Sequence, residues 1–274
     1  VTANHESSVR HAALAEGVSD FLNKPLDNAE FLVRAKNMLA LRKSHKQLSD
    51  HAAWLADEVR KATAELLARE QETIICLAKA AEYRDPETGA HIQRMAHYSR
   101  HIARCMGLPI EQQELLLDAA PMHDIGKVGT PDMILLKPGK LTPEEFSIMK
   151  QHATIGHAVL STSKSPLLKV AAEIAHTHHE KFDGSGYPRG LAGAAIPLFG
   201  RIVAVADVFD ALTSERPYKK AWEVELAKQF LRDSAGSHFD PACVEAFFAD
   251  WDAVMEIKNR FVDEYIEIRD RSLE

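Results

Sequence analysis

His123 and Asp124 stand side by side in the segment PMHDIGKVG. A neutral imidazole next to a carboxylate can ligate a hard or borderline cation, and the carboxylate can bridge two. Taken alone, such a pair more often serves structure than chemistry. Reading forward adds donors of the same kind: His152 in KQHATIG, His178 and His179 in HTHHEKFDGSGYP, and Asp207 in VAVADVFDAL. Reading backward, RDPETGAH carries Glu87 and His91 four positions apart, so one helical turn presents both to one ion. The set Glu87, His91, His123, Asp124, His152, His178, His179 and Asp207 holds more N/O donors than one ion takes. No cysteine stands among them, which argues against a structural zinc site. The mix fits two or three ions, with iron and manganese the best suited. Two ions about 3.5–4 Å apart are the usual arrangement for splitting phosphate esters.

Cations for such a substrate are at hand. Lys127 follows Asp124 by three positions, and Arg216 and Lys219 fall in SERPYKKA just beyond Asp207. Clustered near ions they suit phosphate oxygens, although each alone reads as a solvated surface charge. In the loop DGSGYP, glycines let the backbone approach a ligand closely, and Pro188 stiffens the exit. Gly186, Tyr187 and Pro188 are therefore taken as substrate contacts, with a purely structural turn as the competing reading. Other histidines invite less. His97 and His101 read as an exposed polar helix face, His157 and His176 as packing or ligand support, and His238 as part of a turn. Trp54, Trp222 and Trp251 read as core or interface anchors.

These residues need a scaffold. The chain has 274 residues with 46% hydrophobic and 27% charged, enough for one large domain or one domain plus smaller pieces. Its net charge of -7 disfavours a binder of nucleic acid polymers, which needs a basic face. Cys76, Cys105 and Cys243 are odd in number and far apart, which suits a reducing, cytoplasmic setting without disulfides. No run approaches the ~18 apolar residues of a membrane span, and no secretory signal opens the chain. The chain begins on Val1, as expected of a piece of a longer protein.

Three sections are predicted. Residues 1–42 read as half of an α/β unit, with a helix over 6–16 and another initiated by Asp27. Residues 43–75 form a helical linker with a heptad seam at Leu48, Ala52, Leu55, Val59, Ala62 and Leu66, expected to pair with its copy in a second chain, with a single amphipathic helix packed on a domain as the competing reading. Residues 76–274 carry the chemistry on helices expected over 91–106, 111–120, 143–161, 165–178, 198–214, 219–234 and 241–250. Thr142-Pro143-Glu144-Glu145 predicts a capping box, and Asp240-Pro241 an N-cap followed by proline at the first helical position. The fold class expected is mainly α.

HDIGK, HHEKFDGSGYP and ADVFDALTSERPYKKA together resemble the HD-GYP domains, a subgroup of the HD phosphohydrolases, over about residues 76–250. YRDPETGAHIQRMA is similar to the RpfG-type response regulators, and residues 1–42 resemble the last third of a receiver domain, with Thr2 as its switch threonine and Lys24 as the lysine before its proline. The resemblance implies an all-helical enzyme cleaving cyclic di-GMP to linear pGpG or to GMP. It places ligands on His91, His123, Asp124, His152, His178, His179 and Asp207, and assigns Glu87 to the extra ligand of three-metal members. Asp124 and Lys127 carry the catalytic roles, Lys127, Arg216 and Lys219 the phosphate contacts, and Tyr187 a guanine pocket. It further implies a sensor histidine kinase upstream and diguanylate cyclase-type partners at the GYP loop. An interaction module that docks such partners without turnover is the alternative.

Overall fold

The computed structural model describes residues 15–17, 21–22, 24–83, 89–215 and 220–262. Among them the regular structure is helical, and the extended pairings amount to isolated bridges, Asp183 with Ala192 and Ala235 with Phe239. The mainly α expectation holds. Most of the helix expected over 6–16, and Thr2, lie outside the described residues.

The chain divides into two units, Val1–Ala68 and Arg69–Glu274. The first consists, where described, largely of one helix. Asp27 initiates it as expected, its Oδ1 accepting the Ala29 N–H at 2.7 Å. This helix, α1, then runs without interruption over Asn28–Glu82. The sequence placed a section boundary at 42/43, but residues 28–82 contain no Gly or Pro to end a helix there. Leu48, Leu55, Val59 and Leu66 on the heptad seam are 67%, 45%, 63% and 67% exposed.

The second unit positions the chemistry. Helices α2 (Gly89–Cys105), α3 (Ile110–Ala119), α7 (Pro166–Thr177), α8 (Leu198–Thr213) and α10 (Pro241–Phe248) share one core. Shorter helices complete the unit: α4 (Asp132–Leu135), α5 (Pro143–Met149), α6 (Gln151–Leu160), α9 (Val224–Asp233) and α11 (Trp251–Arg260). Along α2, Met95, Tyr98 and Ile102 recur at helical spacing and are fully buried. Tyr98 meets Phe209 of α8 edge-on at 5.4 Å, and Phe209 meets Phe247 of α10 at 4.9 Å. Each well-packed ring of this kind stabilises the unit by about 2–3 kcal/mol. The core thus locks α2 to α8, with His91 two turns before Tyr98 and Asp207 two positions before Phe209.

Both caps form as expected. Thr142 Oγ1 accepts the Glu145 N–H while the Glu145 carboxylate accepts the Thr142 N–H, and Asp240 Oδ1 accepts from Ala242 N. The helix expected over 143–161 is divided at Lys150, whose ψ of -20° tightens the turn. There the His152 ring bonds the Met149 carbonyl at 2.7 Å. The helix expected from 219 begins at Val224. Among the described residues, no helix is long and apolar enough to cross a membrane.

Candidate metal centre

Five separate pieces of chain bring the donors together. His91 lies in the first turn of α2, and His123 and Asp124 lie between short 3₁₀ turns at 120–122 and 125–129. His152 opens α6, His178 and His179 directly follow α7, and Asp207 lies midway along α8. The HDIGK turn reaches α6 only because Gly126 has no side chain. A Cβ there would lie 2.0 Å from the His152 carbonyl oxygen and 2.5 Å from the Gly156 nitrogen. The second glycine of DGSGYP is fixed in the same way, since a Cβ on Gly186 would lie 2.2 Å from the Lys181 nitrogen.

The ring orientations follow one rule. Nδ1 of His123, His152 and His178 faces the carbonyl oxygens of Ala120 (3.2 Å), Met149 (2.7 Å) and Ile174 (3.1 Å), and Nδ1 of His91 faces Asp210 Oδ2 at 2.8 Å. An acceptor at Nδ1 fixes the proton there and leaves Nε2 with a lone pair, as in metal-ligating histidines generally. Those Nε2 atoms on His123, His152 and His178 are buried, and among the described residues they form no hydrogen bond. Buried polar nitrogens are costly without a partner. They point to an ion.

Asp124 stands at the centre with its two oxygens divided. Oδ1 lies 3.2 Å from His152 Nε2 and 3.5 Å from His178 Nε2, while Oδ2 lies 3.3 Å from His123 Nε2. Asp207 Oδ1 lies 3.7 Å from His91 Nε2 and 3.9 Å from His123 Nε2. Two ligand groups result, each with donor atoms mutually within 4.8 Å: Asp124, His152, His178 and His179 form one, and Glu82, His91 and His123 the other. Asp124 belongs to the first group, and its Oδ2 also reaches to 3.3 Å from His123 of the second, as a bridging carboxylate must.

The electrostatics agree. Burial raises the Asp124 pKa, but Lys127, His123 and His178 outweigh it and hold the carboxyl well below its usual range. Burial opposes charge on His123 too, yet Asp124, Asp207 and Glu82 lift its pKa to about 9. A pocket that makes an imidazole retain a proton is one that stabilises positive charge. Burial, then the neighbouring imidazoles, holds His179 well below its usual value and keeps it a neutral donor. Lys127 is buried, with Nζ 2.7 Å from Asp124 Oδ2, so it sits within the site.

Tyr187 and its loop border this cluster. The Tyr187 ring centroid lies 4.7 Å from that of His179, and Phe146 lies edge-on at 6.2 Å. The loop is tied down by buried Glu180, whose carboxylate accepts the N–H groups of Arg189 (2.7 Å) and Leu191 (3.0 Å). Glu87, Arg216 and Lys219 lie outside the described residues.

The HD domain family matches residues 75–243. The chain belongs to this family, in its HD-GYP group. It is 47% identical over 246 residues to the cyclic di-GMP phosphodiesterase response regulator RpfG of Xanthomonas campestris pv. campestris, covering 90% of this chain and 65% of that one. It is 42% identical over 271 residues to a cyclic di-GMP phosphodiesterase of Thermotoga maritima, covering 96% and 74%. It is also 47% identical over 193 residues to 3'3'-cGAMP-specific phosphodiesterase 2 of Vibrio cholerae, covering 70% and 37%. A crystal structure of a cyclic GMP-AMP phosphodiesterase from V. cholerae shares the fold, with a TM-score of 0.50 at 21% identity over 69% of this chain and 53% of that one.

Sequence reasoning missed three residues of this HD-GYP site. Buried Glu82 is one. The others form the support behind His91, where Asp210 accepts from Arg94 through Nε at 2.6 Å and Nη2 at 2.9 Å. Arg94 also donates to Ser214 Oγ and to the Phe261 carbonyl, both at 2.8 Å. The repeat of Asp at 207 and 210, one turn apart on α8, was the available signal. His97 and His101 are not an exposed face. His101 is buried against the Phe247 carbonyl, and His97 stacks on Phe261 at 4.7 Å. His157 and His176 stack on each other at 4.3 Å, in keeping with packing.

Proposed function

We propose that this chain is a response-regulator output enzyme that hydrolyses cyclic di-GMP to pGpG, GMP or both, using two or three divalent ions, iron or manganese. One observation carries the reading: imidazoles oriented through Nδ1 turn otherwise unbonded Nε2 atoms toward Asp124, whose two oxygens face different imidazoles. One ion falls to Asp124, His152, His178 and His179, and another to His91 and His123 with Asp124 and Asp207 beside them. When bound, such ions supply Lewis acidity toward the phosphoryl oxygen and the attacking water.

The chain's own residues bind and orient. Lys127 keeps Asp124 ionised and provides a cation toward phosphate, joined by Arg216 and Lys219. Burial, Asp124 and Asp207 push the Tyr187 phenol above its ordinary range, so it remains a neutral donor and stacking surface for a guanine, flanked by Gly186 and Pro188. Residues 1–42 serve as the end of a receiver addressed by a sensor histidine kinase, 43–75 as a linker, and 76–274 as the hydrolase. The exposed seam of α1 supports a homodimer, and the GYP loop is a surface for diguanylate cyclase-type partners. The setting is cytoplasmic, quorum-sensing signalling.

The test is chromatography of cyclic di-GMP incubated with anaerobically metal-reconstituted protein, with cyclic GMP-AMP in parallel. Conversion of cyclic di-GMP to pGpG or GMP, lost to background in Asp124→Asn, is expected. Near-full turnover by Asp124→Asn would contradict the assignment. Preferential cleavage of cyclic GMP-AMP would move the substrate to that class.

A further inference from the structure

Glu82 has no role in any motif read from the sequence, yet it is the last residue of α1 and is only 3% exposed. Glutamate is almost never so buried unless it is paired or coordinates a metal. Its carboxylate and one ring nitrogen each of His91 and His123 lie within 4.8 Å of one another. Asp207 Oδ1 lies within 3.9 Å of both imidazoles, and Asp124 Oδ2 lies 3.3 Å from His123. Three carboxylates thus converge on two imidazoles in a buried space. A divalent ion is the largest local charge a site can hold, and this set of carboxylate and imidazole donors is one that would bind it.

We infer that Glu82 is a carboxylate ligand of the ion held by His91 and His123. This rests on the metal-dependent reading above and deepens it, because the motif-based assignment gave the glutamate role to Glu87 alone. Two imidazoles and up to three carboxylates make an oxygen-rich donor set, harder than the His152, His178 and His179 group. That asymmetry suits manganese or ferrous iron at the Glu82 position. Glu82 is separated from His91 by nine positions and stands on a different helix, so the i, i+4 logic that singled out Glu87 could not reach it.

The test uses the full chain, stripped with chelator, titrated anaerobically with Mn²⁺, and measured for metal per chain after desalting. Wild type, Glu82→Gln, Glu82→Asp, Glu87→Gln and His152→Ala are compared. Glu82→Gln is expected to lose one ion per chain, or to bind it roughly 10–100-fold more weakly, while Glu82→Asp falls between. Its metal-free melting temperature should equal or exceed that of wild type, since removing a buried charge does not unfold the chain. A full metal complement in Glu82→Gln with affinity within about threefold of wild type overturns the inference and leaves the metal-dependent reading intact. Absence of bound metal in wild type overturns both.

Discussion

The Arg94–Asp210 pair behind His91 makes a quantitative prediction. Arg94 is 3% exposed and Asp210 0%, and the guanidinium gives the carboxylate two of its hydrogen bonds. Burial raises the Asp210 pKa, but His91 and then Arg94 outweigh it and hold it at about 2. Arg94→Met removes the cation and leaves the carboxylate facing only His91 Nδ1 at 2.8 Å and Ser214 Oγ at 3.1 Å. Breaking a buried pair from one side costs about 3–5 kcal/mol. For a unit of this size each kcal/mol moves the melting temperature by about 2–4 °C, so a fall of roughly 6–20 °C is expected by calorimetry on metal-free protein. Arg94→Met/Asp210→Leu should regain most of that loss, because apolar replacement of a whole buried pair is often neutral. It should not regain metal affinity, since His91 has lost the acceptor that orients it, at a cost of about 10–100-fold. A loss below about 1 kcal/mol in the single variant, or normal metal affinity in the double one, would refute the reasoning.

Other outcomes follow from the same geometry. Gly126→Ala must move backbone at His152, whose oxygen lies 2.0 Å from the new Cβ, so about 1–3 kcal/mol or more is lost on thermal unfolding, together with bound metal. Burial, then Arg100 and Arg260, lowers His97 to about 4, and burial, then Lys181, lowers His238 to about 4. Both lie below the unfolded value near 6.5, so the folded state resists protonation that the unfolded state accepts. Stability is therefore intact above pH 6.5 and falls progressively toward pH 4, by on the order of 1–2 kcal/mol per group after allowance for solvent. Urea titrations of His97→Gln and His238→Gln across that range should show a flatter slope. Chelation should lower the melting temperature, since ions present at 100 times their Kd stabilise by about 2.7 kcal/mol. An unchanged melting curve on chelation contradicts a metal held between Asp124 and its imidazoles.

Much of the site was legible because its donors are of rare type and sit in short motifs. His123, Asp124, His152, His178, His179 and Asp207 each stood out, and the structure brings them into one cluster. Helical periodicity likewise located α2, α7 and α8 to within two residues. The rest depended on tertiary contact. Glu82 and Asp210 look like ordinary helix carboxylates until folding removes them from water. His101 reads as polar surface, and only the approach of α10 buries it against Phe247. At the Lys150 division the His152 ring bonds the Met149 carbonyl, a contact that no propensity encodes. Conversely, the absence of a helix breaker between 28 and 82 is a signal that the chain forms one helix across residue 42.

On the function proposed above, these scattered side chains share cations. Anomalous diffraction at the metal edge from crystals of the reconstituted protein tests it most directly. One peak is expected among Asp124, His152, His178 and His179 and a second beside His91 and His123. Peaks confined to the surface, or none at either position in a metal-replete crystal, would contradict it.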